Sequence, residues 1–149
     1  MLKEGGAHER EYIIVDDGSK DNSSFIIKSL LKKLPGKVIL LRRKNMGASY
    51  STNEAVSLAR GFWIRLLDGD DCVTYKSTEN MLNLATRCKT EFVYGKMHEG
   101  KKNFNDKEKL KYTIQKKKEG LRKFIRNCPA NSSCILISKR RYHLSGGCH

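Results

Sequence analysis

Hydrophobic and polar residues along the chain form short segments whose spacing alternates between that of strands and that of helices. Short runs rich in Val, Ile and Leu, bounded by turn residues, predict strands at 11–16, 37–43, 62–68, 90–95 and 132–138. Apolar positions three or four residues apart predict helices at 23–34, 47–60 and 77–88, and a basic helical stretch follows residue 101. Pro35-Gly36 ends the first of these helices, and Gly61 ends the second.

This alternation of strands and helices predicts an α/β protein. Strands that are apolar on both faces, with helical connections between them, are typical of a mostly parallel sheet covered by helices on both sides. The chain contains only two prolines and has no linker rich in Pro, Gly or Ser. We therefore expect residues 1–149 to form a single domain.

Two acidic clusters follow predicted strands, "DDGS" at 16–19 and "DGDD" at 68–71. Each cluster alone predicts only a turn, because Asp-Gly is a common turn dipeptide. Ligands of parallel sheets bind beyond the carboxyl ends of the strands, so we expect both clusters to open onto the same edge. Aspartates at such an edge are suited to Mg²⁺ or Mn²⁺, cations that share their coordination shell with phosphate oxygens. Together the clusters indicate a site for a nucleotide diphosphate.

The net charge of +14 has much of its excess in residues 101–126. This run fits a solvated helical face, or a surface attracted to anionic lipid head groups or to a phosphorylated substrate. Aromatic residues are not regularly interleaved in it, so we expect no nucleic-acid partner. No apolar run reaches the roughly 18 residues of a membrane helix, and the first ten residues lack the apolar core of a signal peptide. We expect a cytoplasmic protein that touches the inner face of the membrane through residues 101–126.

Four segments, in this order, make the chain similar to the family 2 glycosyltransferases. They are "IIVDDGSKDNS" (13–23), "RKNMGASYSTNEAVSLARG" (43–61), "WIRLLDGDD" (63–71) and "NCPANSSCILISKRRYHLSGG" (127–147). The second segment has the family spacing N-x-G, then Asn six residues on, then A-x-G. The resemblance implies the Rossmann-like GT-A fold. It also implies inverting transfer of a sugar from a nucleotide-diphosphate sugar, UDP-linked, to a glycan or lipid-linked acceptor in polysaccharide biosynthesis.

The same resemblance implies which residues contact the nucleotide sugar. Asp16 and Asp17 match the family aspartates near the uracil and the ribose. The full set that matches nucleotide-sugar-binding positions is Asp16, Asp17, Lys44, Asn45, Gly47, Asn53, Asp68 and Asp70. For the four residues between positions 44 and 53, helix capping and close packing are the alternative explanation. Arg42 and Arg43 are expected either to face the diphosphate or to be exposed.

The resemblance also implies a metal site and a base. Asp68 and Asp70 match the two ends of the metal-binding DxD pattern, and Asp71 matches a frequent third acid that is a ligand or orients one. The implied cofactor is Mg²⁺ or Mn²⁺. The family base follows a Gly-Gly pair, and here His149 is the candidate at that position, two residues after Gly147. Histidine suits a base near neutral pH because its pKa lies close to that range.

The chain departs from the family pattern at both ends. Members usually begin with a strand of the type V-S-V-I-I-P-x-Y-N and a helix, and this chain has neither before residue 11. That strand is normally central, so its flanking strands must pair directly or another chain must fill the gap. A downstream Q-x-x-R-W-type segment is also missing. We therefore expect a domain truncated at both ends.

Three functions remain open on sequence alone. The first is a sugar transferase with a divalent metal. The second is a catalytically inactive fragment that retains nucleotide and metal binding or pairs with a companion chain. The third is a basic surface-binding module in which the acidic turns arose by chance. Loss of nucleotide binding on replacing Asp70 separates the first two functions from the third.

Overall fold

The computed structural model describes residues 9–73, 76–95 and 132–149, and the basic stretch 101–126 lies outside them. The chain divides into two compact units. The first unit comprises Met1–Ile64 and Tyr142–His149, and the second comprises Arg65–Arg141. Among the described residues, every helix is too short or too polar to cross a lipid bilayer. The expectation of a single domain over 1–149 stays a prediction.

The first unit is built on two parallel strands with a helix after each. The elements are β1 (Glu11–Asp16), α1 (Ser23–Leu31), β2 (Lys37–Arg42) and α2 (Ala48–Leu58). Strands β1 and β2 pair in parallel from Glu11 opposite Lys37 to Asp16 opposite Arg42. A right-handed β-α-β connection through α1 is the usual way to join two parallel neighbours. The predicted parallel α/β arrangement is therefore confirmed in this unit.

Helix α1 is shorter than its sequence pattern predicts. It ends at Leu31 rather than at residue 34, and Lys33 and Leu34 donate backbone hydrogen bonds only three residues back, to Leu30 and Leu31. A proline disfavours helical geometry in the residue before it, so Pro35 prevents the helix from extending to residue 34. Gly36 follows with φ +109°, a left-handed conformation that turns the chain into β2.

The second unit packs one helix on an antiparallel strand pair. Its elements are α3 (Ser77–Arg87), β4 (Phe92–Tyr94) and β5 (Ile135–Ser138), with a short 3₁₀ turn at Ser132–Cys134. Helix α3 buries Met81, Leu82 and Ala85, and the strands bury Val93, Leu136 and Ile137. Residues i, i+1 and i+4 of α3 lie on one face, so this apolar face meets the sheet. Burial of that face stabilises the described part of the unit.

Two features of the second sheet differ from the sequence prediction. Strands β4 and β5 run antiparallel, whereas all strands were expected to be mostly parallel. Strand β3 (Trp63–Arg65) is three residues long rather than the predicted seven, and only its last residue belongs to this unit. The strands of this sheet have the order β3-β5-β4. Three residues after β3, the Asp68 N–H donates to the Ser133 hydroxyl at 2.8 Å rather than to a strand.

A short helix, α4 (Lys139–Leu144), follows β5, and the sequence pattern did not predict it.

The described strands β1 and β3 were expected to flank a further strand of the family pattern. Strands β1 and β3 belong to different sheets, so they do not pair directly. Among the described strands, β1 has one neighbour, β2. None of the apolar residues 12–15 of β1 is fully buried. This is unusual for a strand so rich in apolar side chains.

Candidate functional site

Asp16 ends β1 as a buried carboxylate, 3% exposed. The Ser19 N–H donates to its Oδ1 at 2.9 Å, the Ser24 hydroxyl donates to its Oδ2, and Arg42 Nε lies 3.4 Å from Oδ2. These donors, the Ser24 hydroxyl first, lower the pKa of Asp16 from 3.8 to about 2, because they stabilise the ionised form. The carboxylate therefore fixes the turn between β1 and α1.

This shift in pKa predicts how stability depends on pH. A group whose pKa is lower in the folded protein contributes stability above its unfolded pKa and loses it as pH falls through the folded value. We expect the Asp16 contribution to be complete above pH ~4 and to vanish as pH falls toward ~2. Urea unfolding of the wild type and Asp16→Asn at pH 7, 4 and 2.5 checks this.

The difference between the two proteins should be largest at pH 7 and smallest at pH 2.5. A difference in unfolding free energy that stays constant over this range would contradict the prediction. Asp21→Asn is the control, because Asp21 is an exposed acid whose pKa is also lowered, by Ser23, but which caps only the start of α1. Comparing the two variants separates the buried carboxylate from acid effects in general.

Asp17 joins the turn after β1 to the loop before α2. Its Oδ1 accepts hydrogen bonds from Met46 N at 2.9 Å and from Arg43 Nε at 3.2 Å, and its Oδ2 accepts one from Gly47 N at 2.8 Å. The Met46 N–H is the largest cause of a lowered Asp17 pKa, which keeps the group ionised at neutral pH. The backbone N–H groups at the start of a helix favour such an anion. Asp17 thus shapes the loop that carries Lys44, Asn45 and Gly47.

Arg43 is held inside this unit rather than turned to solvent. Its guanidinium donates to Asp17, to the Glu54 carboxylate and to the Ser51 hydroxyl, the last at 2.9 Å. It also lies over the Tyr50 ring, 4.4 Å from the centroid. With 17% of its side chain exposed, Arg43 fits neither expectation, of facing a diphosphate or of being exposed. Arg42 has 55% of its side chain exposed, as the second expectation has it.

The loop of residues 44–47 is open on its outer side. Lys44 and Asn45 are exposed, and the Asn45 carboxamide oxygen accepts a hydrogen bond from Gly47 N at 3.2 Å. Gly47 has φ +92° and begins α2, and its carbonyl accepts from the Ser51 hydroxyl at 2.9 Å. The Met46 and Gly47 N–H groups at this helix start already donate to the Asp17 carboxylate, so the exposed Lys44 side chain is the group of this loop that is suited to a ligand with negative charge.

Gly18 packs directly against this loop. It has φ +86°, and a Cβ placed on it would lie 2.9 Å from Asn45 N and 3.3 Å from Arg43 O. Both atoms belong to backbone that Asp17 already fixes, so neither moves freely. We expect Gly18→Ala to destabilise the folded chain by about 2 kcal/mol. Thermal unfolding checks this, with Gly69→Ala as control, since a Cβ on Gly69 meets nothing within 4 Å. Equal melting temperatures for the two variants would contradict the close approach.

Asn53 lies on α2, where the structure brings it to the C-terminal segment. Its Nδ2 donates to the Cys148 carbonyl at 2.8 Å, and its Oδ1 accepts from Cys148 N at 3.0 Å and from the Tyr142 hydroxyl at 2.6 Å. One helical turn earlier, the Ser49 hydroxyl donates to the His149 carbonyl at 3.0 Å. The candidate base His149 therefore lies beside the helix that follows the nucleotide-side loop.

Tyr142 and Ser49 were missed by sequence reasoning. Tyr142 is 5% exposed, and burial raises the pKa of its hydroxyl, whose oxygen also lies 3.3 Å from Cys148 Sγ. A tyrosine and a serine in helical segments carry no local pattern that marks such contacts. The contacts join residues far apart in the chain, so no spacing rule finds them.

The acidic cluster of the second unit lies in an exposed turn. The Ser132 hydroxyl donates to the Asp68 carboxylate, and Asp71 N donates to the Asp68 carbonyl at 3.2 Å. Asp68 and Asp70 are exposed, and Asp71 is half-buried. Since Asp16 and Asp17 belong to the other unit, the expectation that the two clusters share one edge stays a prediction.

The side chains of this cluster fit a hard cation by their chemistry. They offer exposed carboxylate oxygens, the ligands that Mg²⁺ and Mn²⁺ prefer. Within the part of the chain that the structure describes, His, Cys, Asp and Glu form no group of three or more able to hold a metal by themselves. Mg²⁺ commonly takes only one or two protein carboxylates and completes its shell with water and substrate phosphates. The pair Asp68 and Asp70 meets that lower requirement.

Comparison with known proteins places these features in a family. The family model described as "Glycosyl transferase family 2" matches residues 2–144. The minor teichoic acid biosynthesis protein GgaB of Bacillus subtilis (strain 168) is 34% identical over 86 residues, which are 58% of this chain and 10% of that protein. A cholesterol galactosyltransferase of Borreliella burgdorferi is 33% identical over 85 residues, 57% of this chain and 24% of that protein.

A third relative is the chondroitin synthase of Pasteurella multocida, 35% identical over 80 residues, 54% of this chain and 8% of that protein. The chain thus spans well under a third of the length of these relatives. The family model, in contrast, covers nearly all of the chain, and its match includes both acidic clusters and the loop that Asp17 holds. From this match we conclude that the chain belongs to glycosyl transferase family 2 and has the GT-A fold.

Proposed function

We propose that this chain transfers a sugar from a UDP-linked donor to a glycan or lipid-linked acceptor, with inversion at the transferred carbon. The observation that carries the proposal is the clamp by which Asp17 holds Met46 and Gly47. In a family 2 chain this clamp presents an open loop and a helix start beside two ionised aspartates. Such a surface suits the polar and charged parts of a nucleotide.

Each residue of the first unit has a role in this proposal. Asp17, whose side chain is 19% exposed, accepts hydrogen bonds from the base or the ribose, while Asp16, whose side chain is 0% exposed, supports this contact by holding the turn after β1. Lys44 neutralises phosphate charge and Asn45 offers its carboxamide NH₂ group, while Gly47, whose N–H already donates to Asp17, shapes the loop. Asn53 is the residue of this set that is least suited to contact a nucleotide, because its carboxamide already has partners in the protein.

The second unit supplies the metal ligands. Asp68 and Asp70 would hold Mg²⁺ or Mn²⁺ directly, and Asp71 would complete or orient this set. When bound, the cation neutralises charge on the departing diphosphate. The Ser132 hydroxyl orients the Asp68 carboxylate, which supports a fixed ligand position.

His149 is the proposed base. Its backbone carbonyl is held by Ser49, and its side chain is exposed, so the imidazole is accessible to an acceptor hydroxyl. Removing the proton of that hydroxyl as it attacks is the step that a base supplies in an inverting displacement. The basic residues 101–126, outside the described residues, would bring the protein to anionic lipid at the inner face of the membrane.

A catalytically inactive chain that retains nucleotide and metal binding, or that pairs with a companion chain, is the second candidate. Helix α1 supports it, because Phe25, Ile26 and Leu30 are 75%, 53% and 44% exposed. Large apolar side chains that cluster at a surface are typical of an interface. The half-exposed apolar residues of β1 point the same way.

Calorimetry with UDP, with and without Mn²⁺, tests the binding half of the proposal. We expect binding that requires the metal, and no binding after chelation by EDTA. Release of UDP from UDP-glucose or UDP-N-acetylglucosamine, in the presence of Mn²⁺, tests the chemical half. Binding without any release would favour the second candidate. No metal-dependent binding would refute the transferase and would leave only pairing with a companion chain from the second candidate.

A further inference from the structure

The Asn53 side chain forms hydrogen bonds with both the carbonyl and the N–H of Cys148. Its Nδ2 donates to the Cys148 carbonyl at 2.8 Å, and the Cys148 N–H donates to its Oδ1 at 3.0 Å. A side chain that satisfies both polar groups of one residue replaces the partner that a neighbouring strand would give. The Tyr142 hydroxyl adds a third hydrogen bond, to Oδ1 at 2.6 Å.

The chain approaches Asn53 so closely that the residue before Cys148 must be glycine. Gly147 has φ +78°, and a Cβ on it would lie 2.6 Å from Asn53 Oδ1. That distance is shorter than any real contact of a Cβ atom, so the segment fits because Gly147 has no side chain. The close approach is thus an independent observation that the segment belongs on the Asn53 side chain.

A second contact fixes the direction of the segment along α2. The Ser49 hydroxyl donates to the His149 carbonyl at 3.0 Å. Positions four residues apart lie on the same face of a helix, so Ser49 and Asn53 hold consecutive residues of the segment against one face. Together they define both the distance and the orientation of Cys148 and His149.

We infer that Asn53 is a positioning residue, which holds the Cys148 main chain and so sets where His149 lies beside α2. A carboxamide oxygen has two acceptor positions, and Cys148 and Tyr142 fill both. That oxygen has none left for a nucleotide. For its effect on catalysis, this role rests on the proposed function, in which His149 is the base.

The first test measures how well the segment is held. We expect Asn53→Ala to raise the alkylation rate of Cys148 by iodoacetamide about fivefold or more, because the released segment exposes the thiol. Mass spectrometry of the alkylated peptides reports each cysteine separately, and the exposed Cys72 is the internal reference. Asn83→Ala is the matched control, since Asn83 is an exposed asparagine within α3. An unchanged Cys148 rate would overturn the inference.

The second test separates positioning from nucleotide binding. We expect Asn53→Ala to leave the Kd for UDP with Mn²⁺ within about twofold of the wild type, and to lower the transfer rate about tenfold or more. A Kd raised about fivefold or more would overturn the inference and return Asn53 to the nucleotide side. If the wild type transfers no sugar, the proposed function fails, and Cys148 alkylation together with Kd still decides the role of Asn53.

A second variant reaches the same contact from its other side. Gly147→Ala keeps Asn53 but places a Cβ against its Oδ1, so we expect Cys148 alkylation to rise as in Asn53→Ala. Because both changes break the same contact, Cys148 in the double variant should be alkylated little faster than in either single variant. Rates that multiply in the double variant would contradict a shared contact. If Asn53→Ala does not fold, the rate of Cys148 alkylation in Gly147→Ala alone decides the matter, and an unchanged rate overturns the inference.

Discussion

Asp70→Ala is expected to weaken Mn²⁺-dependent binding of UDP by about 2–3 kcal/mol, or roughly 30- to 150-fold in Kd. Asp70 is an exposed carboxylate in the turn after β3, and it is the proposed direct ligand of the metal. Without it, the cation keeps fewer protein ligands, and the diphosphate loses the charge that would hold it. Calorimetric titration of UDP at saturating Mn²⁺ measures the change.

The control for this prediction removes an equal charge elsewhere. Asp21→Ala deletes an exposed carboxylate that receives the Ser23 N–H at 3.0 Å, and it should leave the Kd for UDP within about twofold. If Asp21→Ala weakened binding as much as Asp70→Ala, the effect would be one of net charge. If Asp70→Ala left the Kd unchanged, the metal assignment would be wrong.

Arg43→Ala is expected to lower the free energy of unfolding by about 2–3 kcal/mol. The guanidinium holds the carboxylates of Asp17 and Glu54 together, and its removal leaves both without their cation in a half-buried setting. It also removes the contact with the Tyr50 ring. A shift of the urea midpoint at unchanged slope measures this loss.

The neighbouring arginine provides the matched control. Arg42 has 55% of its side chain exposed and makes one ion pair, with Asp16 at 3.4 Å. Arg42 is largely exposed, and Ser19 and Ser24 still donate to Asp16 without it, so Arg42→Ala should shift the urea midpoint by at most about a third of the Arg43→Ala shift. Arg43→Lys should not restore stability, because an ammonium cannot present the planar set of donors that three partners use. Full recovery with lysine would show that charge alone matters.

Asp17 holds two loops together and, in the proposed function, also contacts the nucleotide. Its three internal donors hold the turn after β1 against the loop that begins α2. The same donors lower its pKa, so the carboxylate stays ionised wherever the protein is folded near neutral pH. A site that is already ordered loses less entropy when a ligand binds. The loop is therefore pre-organised for the nucleotide that the proposed function places there.

Local structure followed closely from the sequence where a segment has a clear boundary. Strand β1 spans Glu11–Asp16 as predicted, since its β-branched run stops at Asp-Gly. Strand β2 ends one residue before the predicted limit, and helix α3 also ends one residue early. These elements depend on residues near in sequence, through apolar spacing and turn chemistry.

Predictions that depended on pairing between distant segments fared worse. Strand β5 was expected in a mostly parallel sheet, and it pairs antiparallel with β4. Strand β3 is three residues long, and beyond it the Asp68 N–H donates to the Ser133 hydroxyl instead of to a strand. The choice among possible strand neighbours depends on the packing of the whole sheet, and the spacing of apolar residues within one strand does not reveal that packing.

For the candidate site, the sequence by itself determined the residue types: acids at the ends of β1 and β3, a loop with the N-x-G spacing, and glycines before Cys148. It also determined the family. Only the tertiary structure decided that Arg43 is bound internally and that Asn53 holds a residue 95 positions away. The physical reason is that a hydrogen bond forms between groups that are close in space, whereas a sequence pattern records only groups close along the chain.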